Sequence, residues 1–342
     1  MGVGRFVSVV NLTATVMAAI AAALLAASTA TAQQAPLKMR VGWNQTPGHL
    51  ASVLFLNKDN LKHAGKSYVV ETIRFRGSSP QMQALAAGEI ELAALGSTNV
   101  YLLVKRANTD ARIVADVIQE REGYATNRFM VAKDGLIKKI EDVKGKRVGT
   151  NTIGSSGDTS MRVVLRRHGI QDKDFNSIEM QFGNMPAMLM EGKIDMGLIL
   201  PQYVKMVDPA KFITLYTTRD AAGEQQNVSM MMRKDFIEKN RAALEDFFED
   251  YVRAQRWFLD PANRTAAMKI IVDFTKQPPE TLDYVLTKDD TYRDPNARPN
   301  AQFVQNSINA SVQVGVLPEP FDVTPYVDTS LVDQAIKRLD GK

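Results

Sequence analysis

The chain contains no cysteine. That absence excludes disulfides, thiolate zinc sites, iron–sulfur clusters and a cysteine nucleophile together. Histidine is nearly as scarce. His49, His63 and His168 are the whole complement and stand far apart, so neither a metal site nor a cofactor is expected. His63 and His168 sit next to helix-ending glycines in "HAG" and "RHG", where an imidazole suits the helix dipole. No phosphate-binding GxxxxGK[ST] loop and no HExxH zinc helix occurs, and the "GSSG" at 154–157 lacks the Gly-x-Ser-x-Gly spacing of a nucleophile elbow. Neither sign of charge dominates: 42 Lys and Arg face 38 Asp and Glu, interleaved along the chain. Nucleic acid is therefore not an expected partner. After the N-terminal segment no apolar run is long enough to span a membrane.

What is present begins with that segment. Residues 1–32 carry one charge, Arg5, then an uncharged run rich in Ala and Leu, then Ala30-Thr31-Ala32 before Gln33. A small-x-small triplet after such a run predicts a signal peptide. The alternative is a membrane anchor, which the stretch is long enough to form but for which it lacks a charged stop-transfer flank. Without a cysteine there is no site for a lipid anchor.

The remainder alternates short apolar runs with helical patterns, which predicts an α/β fold with a largely parallel sheet. "LKMRVGW" and "YVVETIRF" read as strands, with a helix between them over "GHLASVLFLNKDNLKHAG". Polar stretches "EREGYATNR" and "RDAAGEQQN" bracket a second series of strand–helix units, and a strand "VSMMMRK" then precedes a mostly helical end. A lone strand after the second polar stretch needs a sheet to join. The expected organisation is therefore residues 1–32 as signal peptide, 33–126 plus 226–342 as one discontinuous lobe, and 127–225 as a second, inserted lobe. Consecutive domains with a helical tail are the alternative.

Two segments repeat one pattern, "FRGSSPQMQALAAGEIELAAL" at 75–95 and "QFGNMPAMLMEGKIDMGLIL" at 181–200. Each runs from Gly through a small polar residue and Pro into a Met-containing apolar stretch, then Gly, a charge, Ile and an acid. Gly77 and Gly183 would turn the chain out of a strand, and Pro80 and Pro186 would open a helix. Ser78 or Ser79 would cap the first of these helices. The free N–H groups of such helices face the C-terminal edge of a sheet, where open α/β folds bind ligands. Two copies suggest two lobes facing one cleft. The Met residues read as core.

These features, with "VGW…TPGHLA", "IEDVKGKRVGT…GSSGDTSMRVVL" and "AMLMEGKIDMGLIL", resemble the periplasmic solute-binding proteins of ABC importers, specifically the nitrate/sulfonate/taurine group with the type II periplasmic binding fold. The resemblance covers essentially the whole mature chain. It implies two Rossmann-like lobes joined by two crossing strands, closing on a small, anionic ligand that is handed to an inner-membrane permease. It also implies a periplasmic, monomeric, non-enzymatic protein. Sulfonate binders of the group carry a Trp after the second Gly-x-Ile-Asp; here Met196 to Tyr203 contain none, so ligand identity does not transfer. An enzyme on the same fold is the competing class, but the thiamine-pyrimidine synthases of this fold use a cysteine-bearing motif. Sensing for a receptor is a third reading.

The cleft-facing loops supply the candidate ligand contacts. They are Asn44, Gln45, Thr46 and His49 after the first strand; Arg76, Ser78 and Ser79 after the second; and Ser97, Thr98 and Asn99 after the third. The second lobe offers Ser155, Ser156, Asp158, Asn184, Gln202 and Tyr203. Arg76 suits a bidentate carboxylate or sulfonate contact. A surface ion pair is the alternative role for Arg76, and helix capping for Thr46 and for Ser97, Thr98 and Asn99.

Overall fold

The computed structural model describes residues 35–45 and 47–341; the proposed signal peptide and Thr46 lie outside them. Among the described residues, ten strands form two five-stranded sheets. The first comprises β1 (Leu37–Trp43), β2 (Tyr68–Arg74), β3 (Leu92–Gly96), β4 (Ala111–Glu120) and β10 (Gln225–Arg233), in the order β2-β1-β3-β10-β4. The second comprises β5 (Arg128–Ala132), β6 (Arg147–Thr150), β7 (Asn176–Glu179), β8 (Met196–Ile199) and β9 (Phe212–Thr217), in the order β7-β6-β8-β5-β9. The two orders are the same under exchange of corresponding strands.

Each sheet is parallel except for one strand. β10 runs antiparallel between β3 and β4, and β5 runs antiparallel between β8 and β9. These are the strands by which the chain enters each sheet after crossing over, and entry from the other lobe reverses their direction. β10 is buried along Gln225 to Met232, as an interior strand covered on both faces must be.

The stretch read as a helix between β1 and β2 is instead three short 3₁₀ turns, Leu50–Ser52, Leu54–Leu56 and Lys58–Asn60. Leu50 through Leu54 are all buried, so no solvent face exists to select a 3.6-residue period. Backbone at Val53 and Asn57 leaves the helical region. Helix Arg241–Leu259 packs Phe247, Phe248 and Tyr251 into this core, with Phe55 stacked on Phe247 at 5.2 Å. A separate core fills the second lobe around Phe129, Met161, Ile194 and Met196.

The repeat has a structural counterpart in each lobe. Arg40 of β1 donates through Nε and Nη2 to the Glu91 carboxylate and from Nη2 to the Gly88 carbonyl at 2.8 Å, while its backbone N–H reaches Glu91 at 2.7 Å. Arg147 of β6 makes the same four contacts: Nε to Asp195 at 3.0 Å, Nη2 to Asp195 and to the Gly192 carbonyl at 2.7 Å, and its N–H to Asp195 at 2.8 Å. Gly88 and Gly192 hold positive φ, 76° and 64°, where the preceding helices end. Ile90 and Ile194 then lie on Gly42 and Gly149, where an added Cβ would meet their Cδ1 atoms at 3.0 and 2.7 Å. The second half of the repeat thus ties a helix end to a first strand in both lobes.

Glu91 is the more buried acid, its side chain 7% exposed against 27% for Asp195. Charge-assisted bonds strengthen as water is excluded, so Glu91→Ala should cost roughly 2 kcal/mol and Asp195→Ala less than half of that. Urea unfolding of the two variants checks the order; equal losses would contradict it.

Candidate functional site

The two lobes meet along a polar seam. Ser79 Oγ donates to the Ile153 carbonyl at 2.6 Å, and Asn99 Nδ2 donates to the Gly154 carbonyl at 2.9 Å. Gly77 is extended, φ −179°, so no turn requires glycine there. Space does: a Cβ on Gly77 would lie 2.5 Å from Thr152 Oγ1 and 2.9 Å from Asn151 Nδ2. One on Gly96 would lie 2.9 Å from Ser156 N. The helix after Gly77 spans Ser78–Ala87 without a side-chain cap. The seam thus comes from close backbone approach, and the space left beside Ser97, Thr98 and Ser156 is about 20 Å³.

Beside the seam the lobes part around a cavity of about 430 Å³. From the first lobe come Trp43, Asn44 and Gln45 at the end of β1, Arg74, Phe75 and Arg76 at the end of β2, and Phe274, Thr275 and Gln277 from the end of helix Arg264–Thr275. From the second come Gln181, Phe182 and Gly183 after β7, and Tyr203 in the 3₁₀ turn Pro201–Met206. Among the described residues, two guanidiniums and no carboxylate line this space. Arg74 lies over the Trp43 ring at 5.7 Å, and Arg76 reaches Glu179 only at 3.9 Å with both side chains well exposed. Trp43 Nε1 and Asn44 Oδ1 are buried without a hydrogen-bond partner among the described residues. Burial raises the Tyr203 pKa, and nearby Arg74 opposes the shift.

Of the candidates from the sequence, Asn44, Gln45, Arg76 and Tyr203 come together in this cavity. Gln202 Nε2 donates to Gln45 Oε1 at 3.2 Å across the lobes. Ser79, Asn99 and Ser156 stand at the seam. The others have partners inside their own lobe or face elsewhere. Ser78 accepts from Gly96 N–H at 3.1 Å, and Ser97 bonds Ser229 at 2.7 Å. Ser155 caps helix Ser156–Arg167, and Asp158 pairs with Arg162 at 2.9 Å. Thr98 lines the small space described above, and Asn184 is exposed outside the larger cavity.

His49 is buried behind the cavity loop. Burial, assisted by the Arg293 charge, lowers its pKa to about 3. Arg293, itself 5% exposed, pairs with Asp290 at 2.8 Å and donates to the carbonyls of Pro47 and Gly48 at 3.3 and 3.2 Å. This buried pair fixes the loop that presents Gln45.

The crossings are tied to one another. Thr218 Oγ1 and Asn227 Nδ2 donate to buried Glu120 at 2.6 and 3.1 Å, and Arg219 Nη2 donates to the carbonyls of Arg121 and Tyr124 at 2.6 and 2.9 Å. Burial raises the Glu120 pKa, while hydrogen bonds and Arg219 pull it back. A second cavity of about 510 Å³ lies beside the crossings, where Arg128, Lys205 and Lys288 are nearly balanced by Asp283 and Asp289.

His63 does not sit at an α-helix end. It faces Glu249 at 3.1 Å and Asp246 at 3.6 Å. Among the described residues this is the one trio with metal-ligand types in reach of one another. Arg253 and Arg338 already occupy its carboxylates, so it is an ion-pair cluster joining the 63 loop to two helices. His168 caps helix Ser156–Arg167 as its sequence suggests, bonding Glu141 at 2.8 Å.

With this geometry in view, a family model described as NMT1-like matches residues 32–272. The chain belongs to the NMT1-like family. It is 26% identical over 164 residues to a Brachyspira hyodysenteriae protein provisionally named an ABC transporter periplasmic binding protein, a match covering 44% of this chain and 46% of that one. It therefore spans about half the length of that curated relative. Two solved structures share the fold. The alkanesulfonate-binding protein SsuA of Xanthomonas axonopodis pv. citri, bound to MOPS, matches with TM-score 0.67 and 17% identity over 86% of this chain and 99% of that one. The nitrate-binding protein NrtA of Synechocystis PCC 6803 matches with TM-score 0.70 and 17% identity over 90% of each. The NMT1-like chain thus has the two-lobed periplasmic binding fold, as its sequence resemblance implies.

Sequence reading passed over several residues of this candidate site. Arg74 was legible: "IRFRG" places two arginines at alternate positions where a strand ends. Phe274 and Arg293 were not, because chain folding brings them from distant segments. A pH dependence follows from His49. Between its usual pKa near 6.5 and about 3 the unfolded chain binds a proton that the folded chain does not. Stability should therefore be complete above about pH 6.5 and fall below it, by at most about 1.4 kcal/mol per pH unit from this group. Unfolding curves at stepped pH check this, with His49→Gln expected to flatten the slope; an unchanged slope would contradict it.

Proposed function

We propose that this chain is the extracytoplasmic solute-binding component of an ABC importer. It captures a small organic or inorganic anion between its lobes and delivers it to an inner-membrane permease, without turnover. The observation that carries the reading is the interlobe cavity whose described lining holds Arg74 and Arg76 and no carboxylate, with Glu179 touching Arg76 only at 3.9 Å. Such a pocket attracts a negative charge and holds it by charge-assisted bonds once water is displaced. Family membership and the name of the Brachyspira relative support the transport role. The binding of a sulfonate and of nitrate by proteins of the same fold supports the ligand class.

On this reading the lobes comprise 33–126 with 226–342, and 127–225, and they move about the crossings near Glu120 and Thr218. Gln45, Gln202 and Arg76 act as contacts drawn from both sides of the cleft. The protein works as a monomer in the periplasm, with residues 1–32 removed on export.

A ligand that binds only the folded state raises the unfolding temperature by mass action. Thermal-shift measurements with nitrate, alkyl and aryl sulfonates, and aliphatic and aromatic carboxylates should therefore give a concentration-dependent rise for at least one anion. No rise for any, together with turnover in a hydrolase panel, would overturn the reading. N-terminal sequencing of protein recovered from periplasm should start at Gln33; retention of residues 1–32 in a membrane fraction would contradict the export claim.

A further inference from the structure

Cavity size and wall chemistry narrow the solute class beyond "anion". Five of the thirteen residues lining the cavity are aromatic, namely Trp43, Phe75, Phe182, Tyr203 and Phe274, whereas aromatics make up 7% of the chain. They come from both lobes, so a ligand held there meets rings on both sides of the cleft. Trp43 and Phe274 already pack at 5.6 Å with their planes tilted by 58°, an aromatic pair in the cavity wall of the kind that takes further rings in tilted or offset contact. An inorganic anion would fill a small part of about 430 Å³ and touch none of this apolar wall when paired with an arginine.

The polar groups converge on one end of such a ligand. Arg74 sits over the Trp43 ring at 5.7 Å without a carboxylate partner among the described residues. An acid group bridging Arg74 would lie close to that indole, whose buried N–H has no acceptor among the described residues. Arg76, two residues along the same strand end, is held only by a 3.9 Å contact with Glu179.

We propose that the cavity takes an aromatic acid, a planar ring bearing a carboxylate or sulfonate, with the acid on Arg74 and Arg76 and the ring among Trp43, Phe274, Phe182 and Tyr203. The proposal rests on the solute-binding reading above and specifies its ligand. It separates this cleft from one built for nitrate or a short alkyl sulfonate, for which guanidiniums and small donors suffice.

Trp43 supplies its own reporter. The chain has two tryptophans, and the other, Trp257, packs in the helical core, so a Trp257→Phe protein emits from the cavity alone. Titrations would use benzoate, benzenesulfonate, cyclohexanecarboxylate, benzamide, methanesulfonate and nitrate. Benzoate or benzenesulfonate should change the Trp43 emission and bind at least tenfold more tightly than benzamide or nitrate, and severalfold more tightly than cyclohexanecarboxylate. Arg74→Gln, at an exposed position, should weaken the aromatic acid at least tenfold while leaving the unfolding temperature of the free protein unchanged. Tightest binding by nitrate, methanesulfonate or cyclohexanecarboxylate would overturn the aromatic class and leave solute capture standing. Equal binding of benzamide would overturn the role of the arginines. Silence from these six compounds would defeat the aromatic-acid proposal, and silence from the wider anion screen together with turnover in the hydrolase panel would defeat both.

Discussion

Everything about the cleft depends on how closely two backbones approach at the seam. Gly77 and Gly96 leave no room for a side chain against residues 151–156 of the facing lobe. Ser79 and Asn99 then reach the carbonyls of Ile153 and Gly154. Backbone acceptors at this separation fix one spacing between the sheets. The cavity exists because the chain diverges from that line toward Trp43, Arg74 and Phe182. Around the crossings, Glu120 and Arg219 hold the connecting segments to one another, so seam and crossings bracket the space where a solute fits.

The repeat that marks the sequence divides into two functions. Its second half, Gly-x-Ile-acid, is an internal fastening: Arg40 with Glu91 and Arg147 with Asp195 each join a helix end to a first strand. "RVG" at 40–42 and at 147–149 is the other half of that fastening, so the repeated unit is longer than the two quoted segments. Its first half diverges with position. Gly77 faces the seam, whereas Gly183 lines the cavity, where a Cβ on it would find Tyr203 OH as its nearest neighbour at 3.6 Å.

The α/β class and the succession of strands along the chain were legible in outline because apolar period and breaker residues report local structure directly. The 50–60 region was not: it folded as 3₁₀ turns, with Leu50 to Leu54 buried whatever their position in the period and Leu56 exposed. Residues lining the cavity were legible where they follow a strand end, as Gln45 and Arg76 do. Polar residues near a helix start were ambiguous for a physical reason. A serine that caps a helix, as Ser155 does, and one that meets the other lobe, as Ser79 does, have the same local sequence. Long-range partners decide between them. Arg293, held by Asp290 and holding the 47–48 carbonyls, shows how far along the chain such a decision can come from.

The seam can be tested without any ligand, because a cysteine-free chain accepts two unique spin labels. Glu89→Cys and Lys193→Cys place them at exposed, equivalent positions of the two repeat copies. The distance distribution between them, measured by pulsed electron spin resonance, is compared with and without Gly77→Val. The account predicts a longer or broader distribution in the valine variant, as its side chain forces the lobes apart at Thr152 and Asn151. Identical distributions would mean that this contact does not set the spacing of the lobes.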